Sequence, residues 1–217
     1  MSTSLVPSPL PLSQHTVAEF LTALAAKTPT PGGGSVAALV GAIACAQVRM
    51  TLSYTLGKKK FADFEPELQT VSRQVDALTA ECVDLMEQDR LAYEALGPFL
   101  KLSREEQTAD TKFHNAVQTA VRVPMACAHA ALHIVEHSAA MAEKINPMLI
   151  SDLGVAVELA CSVVAACALN IHINLPLVPD KKAAADYAQE IYSVTRQATE
   201  LADRIRRQVR TIMPRVS

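Results

Sequence analysis

The chain has 217 residues, of which 50% are apolar, 4% are aromatic and only 7 are glycine. This apolar share excludes an intrinsically disordered chain, and the length suits one domain with a single core. The 20 basic and 22 acidic residues give a net charge of −2, which offers no general attraction to nucleic acid or to an anionic membrane. Because Ala, Val and Leu dominate the apolar half, the composition favours closely packed helices.

The first fifteen residues contain three prolines and no lysine or arginine, so residues 1–15 are predicted to be a flexible tail and not a signal peptide. Residues 16–217 are then expected to form a single domain. The apolar stretches 36–48 and 155–171 are shorter than the about 20 residues that a membrane span needs. Five cysteines, an odd number without a CxxC pair, fit a reducing compartment. We therefore expect a soluble, cytoplasmic protein.

Apolar residues recur at helical spacing along nearly all of the chain after the tail, and no segment shows the alternation of a strand. The predicted fold is all-α, an antiparallel bundle of about seven helices with short connections. The predicted helices are 16–27, 35–56, 65–96, 103–122, 124–144, 151–174 and 181–213.

Heptad seams, in which apolar residues step by three and four positions, run along two of the predicted helices. They consist of Leu68, Val71, Val75, Leu78, Cys82 and Leu85, and of Tyr187, Ile191, Val194, Ala198, Leu201 and Ile205. Such seams predict packing within the chain or across a homodimer. One further step from Leu85 reaches Asp89, a carboxylate at a position that the pattern assigns to an apolar residue. Since burying an unpaired charge is unfavourable, Asp89 is expected to be paired, to face a cavity, or to mark the end of the seam.

Three consecutive glycines, Gly32, Gly33 and Gly34, come directly before Ser35, which is predicted to begin a helix. Glycines let backbone N–H groups turn toward a ligand, and the helix N-terminus adds partial positive charge, so the segment suits an anion or a carbonyl. It lacks the closing Gly-Lys-Ser/Thr of a P-loop. The alternative is a tight turn that allows close helix packing.

A second polar segment, Gly57 followed by Lys58, Lys59 and Lys60, comes at the end of the same predicted helix. Lysines beyond a helix C-terminus are favoured by the helix dipole alone, so solvated lysines are one interpretation. The other is capture of a substrate that carries several carboxylates.

The predicted helix 151–174 carries polar residues at its two ends. Asp152 and Asn170 share a face but lie ~27 Å apart along a straight helix, so they cannot both touch one reacting carbon within a subunit. Asn170 and Asn174 are four residues apart on an apolar helix, where buried amides need partners.

His129, His133 and His137 are also spaced by four, and 133–137 matches the H-x-x-E-H zinc pattern. This stripe lies opposite the apolar face of its helix, so a solvated histidine face is favoured over a metalloprotease centre, and no metal is expected.

Taken in chain order, these segments resemble the cyclodeaminase/cyclohydrolase family of tetrahydrofolate enzymes. The matching residues are 29–38, 57–61, Asp89 with Ala92 and Tyr93, 123–126, 151–156 and 170–175. The resemblance implies an all-helical homodimer, no metal, and a site for a tetrahydrofolate derivative that involves both subunits.

Within this family, methenyltetrahydrofolate cyclohydrolase is the preferred function. Formiminotetrahydrofolate cyclodeaminase is the alternative, and a non-catalytic helical folate-binding or interaction protein is the second alternative. Asp89 is the expected acid/base group and Asp152 the second catalytic candidate. The expected substrate-binding residues are Gly32, Gly33, Gly34, Ser35, Lys58, Lys59, Lys60, Ser151, Asn170 and Asn174, with the lysines holding a glutamate or polyglutamate tail.

The glycine segment and the lysines bracket one helix of about twenty residues and are therefore ~30 Å apart. One folate cannot easily bridge that distance within a subunit. An antiparallel dimer is expected to bring the glycine segment of one subunit toward the lysines of the other.

Overall fold

The structure, a computed structural model, describes residues 10–212, which form seven α-helices joined by short connections and 3-10 turns. The helices are α1 (Val17–Ala25), α2 (Gly33–Ser53), α3 (Glu65–Leu96), α4 (Arg104–Ala109), α5 (Thr111–Met141), α6 (Ile150–Asn174) and α7 (Lys181–Ile212). The all-α prediction is confirmed for this part of the chain. Residues 1–9 of the predicted tail and Met213 of the last predicted helix lie outside the described residues.

Helix α5 continues without interruption past Pro124, where the sequence predicted the boundary between two helices. That boundary was wrong. The chain breaks instead at Asp110, whose side chain accepts a hydrogen bond from the Lys112 N–H at 2.7 Å and so caps α5. A proline inside a helix leaves one carbonyl without its N–H donor, and the donor that replaces it lies in the candidate site.

Several pairs of neighbouring helices are antiparallel. Helices α2 and α3 are antiparallel, since Arg49 donates to Asp76 at one end at 3.1 Å and Ser35 bonds to Asp89 at the other. Helix α6 is antiparallel to α2 and to α5. Helix α7 runs parallel to α5 and antiparallel to α6, where Arg206 donates to Glu158. The predicted antiparallel arrangement therefore holds for the successive pairs α2–α3, α5–α6 and α6–α7.

Both predicted heptad seams pack within the chain. The six residues of the α3 seam are all buried, as are Ile191, Val194, Ala198 and Ile205 of the α7 seam. Between them the core is filled by small side chains, among them Ala44, Ala128 and Ala160, which are fully buried. The alanine-rich composition thus allows the helices to approach closely, as expected.

Helices α2 and α6 each carry a second heptad row that this packing leaves half-buried or exposed. We call them the outer rows, and they consist of Val36, Val40, Ile43, Gln47, Met50 and Tyr54 on α2 and Val155, Leu159, Ser162, Ala166, Leu169 and Ile173 on α6. Leu169 is 73% exposed and Ile173 is 75% exposed. The other described residues cover the face formed by these rows only in part.

The two helices that carry the outer rows, α2 and the stretch Pro147–Leu177, are long and apolar enough to cross a membrane by length and composition alone. The sequence prediction had judged both stretches too short. In the most apolar window of each, 56% and 39% of the residues are buried inside the bundle. They are core helices of this fold, and the lower value reflects the outer row of α6.

Part of the predicted tail is packed against the bundle. Residues Leu12–Gln14 form a 3-10 turn, and Leu12 is buried. Its backbone N–H donates to Glu87 Oε2 of α3 at 3.3 Å. Residues Leu12–Gln14, which belong to the predicted tail, therefore contact α3.

Candidate active site

The start of α2 is capped by a side chain from another helix. Gly32 occupies the N-cap position and has no side chain with which to accept the free N–H groups of the first turn. Asp89 of α3 supplies that acceptor, because its Oδ2 accepts the Ser35 N–H at 2.7 Å and the Ser35 hydroxyl at 2.9 Å. Ser35 is completely buried and lies in the first turn, two residues after the helix start, whereas the sequence predicted it as the first residue.

Gly34 is required for this contact. A Cβ atom added to it would lie 1.9 Å from Asp89 Oδ1, far inside any allowed contact distance. A Cβ on Gly33 would lie 3.3 Å from Asn170 Oδ1, whereas a Cβ on Gly32 would meet nothing closer than 3.9 Å. The glycine segment therefore serves close packing and also brings α2 against two polar side chains.

Burial raises the pKa of the Asp89 carboxyl above its ordinary value of 3.8, while the hydrogen bonds from Ser35 act in the opposite direction. A carboxyl held in this balance keeps some affinity for a proton at higher pH than a solvated aspartate does. This is the property that a general acid/base group needs, because proton transfer is most efficient when the pKa lies near the working pH.

Asp89 faces a cavity of about 470 Å³ that is bounded by the glycine segment, α3, α5 and the end of α6. Its remaining lining is mostly apolar and includes Tyr93, Leu96, Leu100 and Leu177. These four residues carry no sequence signal of a cavity wall. An apolar residue has the same pattern in a sequence whether it lines a cavity or fills a core. A polar group set into such a wall is the usual form of a small-molecule site.

Asn170 lines the same cavity with an amide group that lacks a partner. Its Nδ2 atom is buried and makes no hydrogen bond to the residues that the structure describes. Buried amide donors are almost always satisfied, so this donor is available to a ligand or a water molecule that enters the cavity.

Asn174 also lines the cavity, but its N–H donors are used within the protein. Its Nδ2 donates to the carbonyls of Ala120 and Asn170, each at 3.0 Å. The Ala120 carbonyl is the one that Pro124 cannot serve, because proline has no N–H. Two sequence signals belong to this arrangement, a proline flanked on both sides by helical spacing and an asparagine on an apolar helix. Nothing in the sequence shows that these two residues meet.

The remaining predicted site residues lie at the other end of the α2–α6 pair. Lys58, Lys59 and Lys60 follow the end of α2 and are exposed. Asp152 accepts a hydrogen bond from Gln47 Nε2 at 3.0 Å, and Ser151 is exposed beside a groove between α6 and α7. Within one chain the structure therefore joins Asp89, Ser35, the glycines, Asn170 and Asn174, and separates them from the lysines, Ser151 and Asp152.

Two residues of the histidine stripe contact acidic side chains on the surface of α5. His129 contacts Glu190 of α7 and His133 contacts Glu136, both at 2.8 Å. His137 is half-buried, and this burial lowers its pKa. In residues 10–212 no three His, Cys, Asp or Glu side chains are grouped so that they would hold a metal ion.

The sequence model of the formiminotransferase-cyclodeaminase family matches residues 16–193, which include every residue of the cavity described above. The chain belongs to this family. It is 34% identical over 195 residues to the methenyltetrahydrofolate cyclohydrolase of Methylorubrum extorquens, an alignment that covers 88% of this chain and 94% of the relative.

Two further comparisons agree with this membership. The crystal structure of formiminotetrahydrofolate cyclodeaminase from Thermotoga maritima superposes with a TM-score of 0.86 at 27% identity, covering 93% of this chain and 98% of the other. The formimidoyltransferase-cyclodeaminase of Rattus norvegicus is 28% identical over 165 residues, which are 74% of this chain and 30% of the relative. The chain therefore spans about a third of such two-activity relatives, and the all-helical fold and the family that the sequence predicted are confirmed.

Proposed function

We propose that the chain is an enzyme of reduced-folate one-carbon chemistry that hydrolyses 5,10-methenyltetrahydrofolate to 10-formyltetrahydrofolate. The observation that carries the proposal is a desolvated carboxyl, Asp89, set in an apolar cavity beside the unpartnered amide donor of Asn170. A second support is the alignment over almost the whole length of a relative that is named as such a cyclohydrolase.

The chemistry of this substrate fits the cavity. A cationic amidinium joins N5 and N10, and an ionised Asp89 attracts it inside an apolar wall. Water adds to the bridging carbon while Asp89 accepts one of its protons. Breakdown of the tetrahedral carbon then breaks its bond to N5, which takes up a proton, and leaves a formyl group on N10 with one proton released overall. The Asn170 amide N–H is the group that orients the folate at this point.

Cyclodeamination of 5-formiminotetrahydrofolate is the second candidate, and the superposition with the Thermotoga maritima cyclodeaminase favours it. In that reaction N10 attacks the formimino carbon and ammonia leaves. Side-by-side spectrophotometric assays on the two substrates test both: loss of the methenyl absorbance reports hydrolysis, and its appearance from the formimino compound reports cyclodeamination. Folate binding without turnover of either substrate would contradict both and leave the non-catalytic alternative.

We further propose that the working form is a homodimer that uses the outer rows of α2 and α6. Ile173 belongs to an outer row and also lines the cavity, so a second copy seated on this face covers the cavity mouth. An antiparallel copy brings the end of its own α2 toward that mouth. Lys58, Lys59 and Lys60 would then hold the glutamate or polyglutamate tail, with Ser151 and Asp152 beside them.

Subunit mixing tests the shared site. Asp89→Asn and the triple Lys58→Ala, Lys59→Ala, Lys60→Ala variant each damage a different half of every site. When the two are mixed, half of the dimers are hybrids with one intact site each. With a polyglutamylated folate at a concentration well below KM, where the lysine variant is impaired, these hybrids should contribute about a quarter of native activity. Activity no higher than the sum of the two parent variants would contradict a shared site.

The proposed reaction uses no metal cofactor. We also propose a cytoplasmic location, which is supported by the free thiols of all five cysteines.

A further inference from the structure

We infer that Asn174 is a positioning residue, which replaces the helix hydrogen bond lost at Pro124 and thereby fixes Asn170 in the cavity wall. The inference deepens the proposed function and rests on it for its effect on turnover. Its effect on folding stands on geometry alone.

The first step concerns the Ala120 carbonyl. In an α-helix this group accepts the N–H of the residue four positions later, which is Pro124 and has none. Ala120 is buried, and buried carbonyls are almost always paired. Asn174 Nδ2 does so at 3.0 Å, across the contact between α5 and α6. A buried carbonyl is thus satisfied by a side chain from a different helix.

The second step concerns the other hydrogen of the same amide. Asn174 Nδ2 also donates to the Asn170 carbonyl at 3.0 Å. One amide group therefore ties the turn of α6 that carries Asn170 to the position where α5 is interrupted. Both donors of Asn174 are used in this way, so a ligand can find only its oxygen.

The third step links this tie to the cavity. Asn170 Oδ1 lies against Gly33, and Asn170 Nδ2 is buried without a partner among the described residues. The position of that single donor depends on the register of α6 against α5, which the Asn174 amide sets. Asn174 therefore acts through Asn170, and an error of about 1 Å in such a group is enough to impair a reaction.

Thermal unfolding without ligand gives the first test, through Asn174→Ala in the native and Pro124→Ala backgrounds. In the native chain the substitution strands a buried carbonyl and should lower the unfolding midpoint by about 3–6 °C. Alanine at position 124 restores an N–H donor, so the same substitution should then lower it by less than about half as much. Equal drops in the two backgrounds would overturn the inference. Asn115→Ala, an exposed asparagine on α5, is the matched control and should shift the midpoint by no more than about 1–2 °C.

Turnover gives the second test, through Asn174→Ala in the native and Asn170→Ala backgrounds. We expect kcat/KM to fall about tenfold in the native chain and less than about twofold further when Asn170 is already alanine. Equal falls in both backgrounds would mean that Asn174 contacts the substrate itself and would overturn the inference. If the native chain turned over neither folate, the proposed function would fail, while the unfolding test would still decide the Pro124–Asn174 link.

Discussion

The two ends of the α2–α6 pair carry polar residues in opposite surroundings. Where α2 begins, Asp89 is half-buried and accepts hydrogen bonds from Ser35, and the buried Asn170 Nδ2 makes no hydrogen bond to the described residues. Where α2 ends, Asp152 accepts a single bond from Gln47 and three lysines lie in solvent. The first group comes together at one cavity inside a single chain. The role proposed for the second group depends on the proposed homodimer, in which a partner brings these residues to such a cavity.

The largest expected effect comes from removing the charge at the cavity end. Asp89→Asn should lower kcat/KM by about 10²–10⁴-fold, the range for loss of a general acid/base group. Its amide oxygen still accepts the Ser35 N–H, so the free energy of unfolding at neutral pH should be unchanged or higher. Steady-state kinetics and urea unfolding on the same preparation measure both. Undiminished turnover would remove Asp89 from the mechanism, and Asp152→Asn is the matched carboxylate change at the other end.

The same variant carries a pH signature. Because folding raises the pKa of Asp89, the folded chain keeps this proton at pH values where the unfolded chain has lost it. The stability from this group is complete below 3.8 and is lost as the pH rises through the folded pKa. The unfolding free energy of Asp89→Asn minus that of the native chain should therefore increase from about pH 4 toward neutral pH. A difference that decreases over this interval would mean that the ionised form is the one that the fold stabilises.

The next effect comes from the glycine that allows the carboxyl to approach. Helix propensity alone favours Gly34→Ala by about 1 kcal/mol. The added Cβ would lie 1.9 Å from Asp89 Oδ1, so the carboxyl would have to move away from Ser35. This loss outweighs the gain in helix propensity. We expect a loss of about 1–3 kcal/mol in unfolding free energy and a large loss of turnover. Gly32→Ala, where the nearest atom is 3.9 Å away, is the control and should change both far less. Equal effects of the two substitutions would show that the close approach of Gly34 to Asp89 determines neither the stability nor the turnover.

A smaller effect is expected at the basic end. Replacing Lys58, Lys59 and Lys60 by alanine should raise KM for a polyglutamylated folate about 3–10-fold and leave kcat unchanged. The penalty should shrink at high salt, because exposed charges are screened. Kinetics at two ionic strengths measure this. Replacing Lys112, Lys181 and Lys182 removes the same charge elsewhere, and an equal rise in KM for that control would mean a general charge effect.

The smallest effect is expected for the histidine stripe. His129→Gln removes a surface contact with Glu190, and such exposed contacts contribute at most about 1 kcal/mol. Turnover should stay within about twofold of native. A loss comparable to that of Asp89→Asn would contradict the assignment of the centre to the cavity end.

Periodicity was enough to predict the fold, because the α3 and α7 seams repeat over many turns, and all six residues of the first and four of the six of the second are buried. Asp89 was found because it interrupts such a repeat. The apolar wall around it left no trace in the pattern, since Leu96 follows the same spacing as the core residues of α3 and Leu177 lies in a short turn outside the predicted helices. Pro124 misled the prediction of a boundary because the compensating donor, Asn174, lies fifty residues away along the chain.

The packed turn at Leu12 limits how the chain can be shortened or extended. Leu12 is 4% exposed, and its N–H donates a hydrogen bond to Glu87, two residues before Asp89 on α3. An expression boundary at residue 16, where the helical pattern starts, would remove Leu12. This buried side chain contacts the C-terminal part of α3, the helix that carries the proposed acid/base group. An affinity tag or a fused domain is therefore better attached ahead of residue 10 than directly before α1.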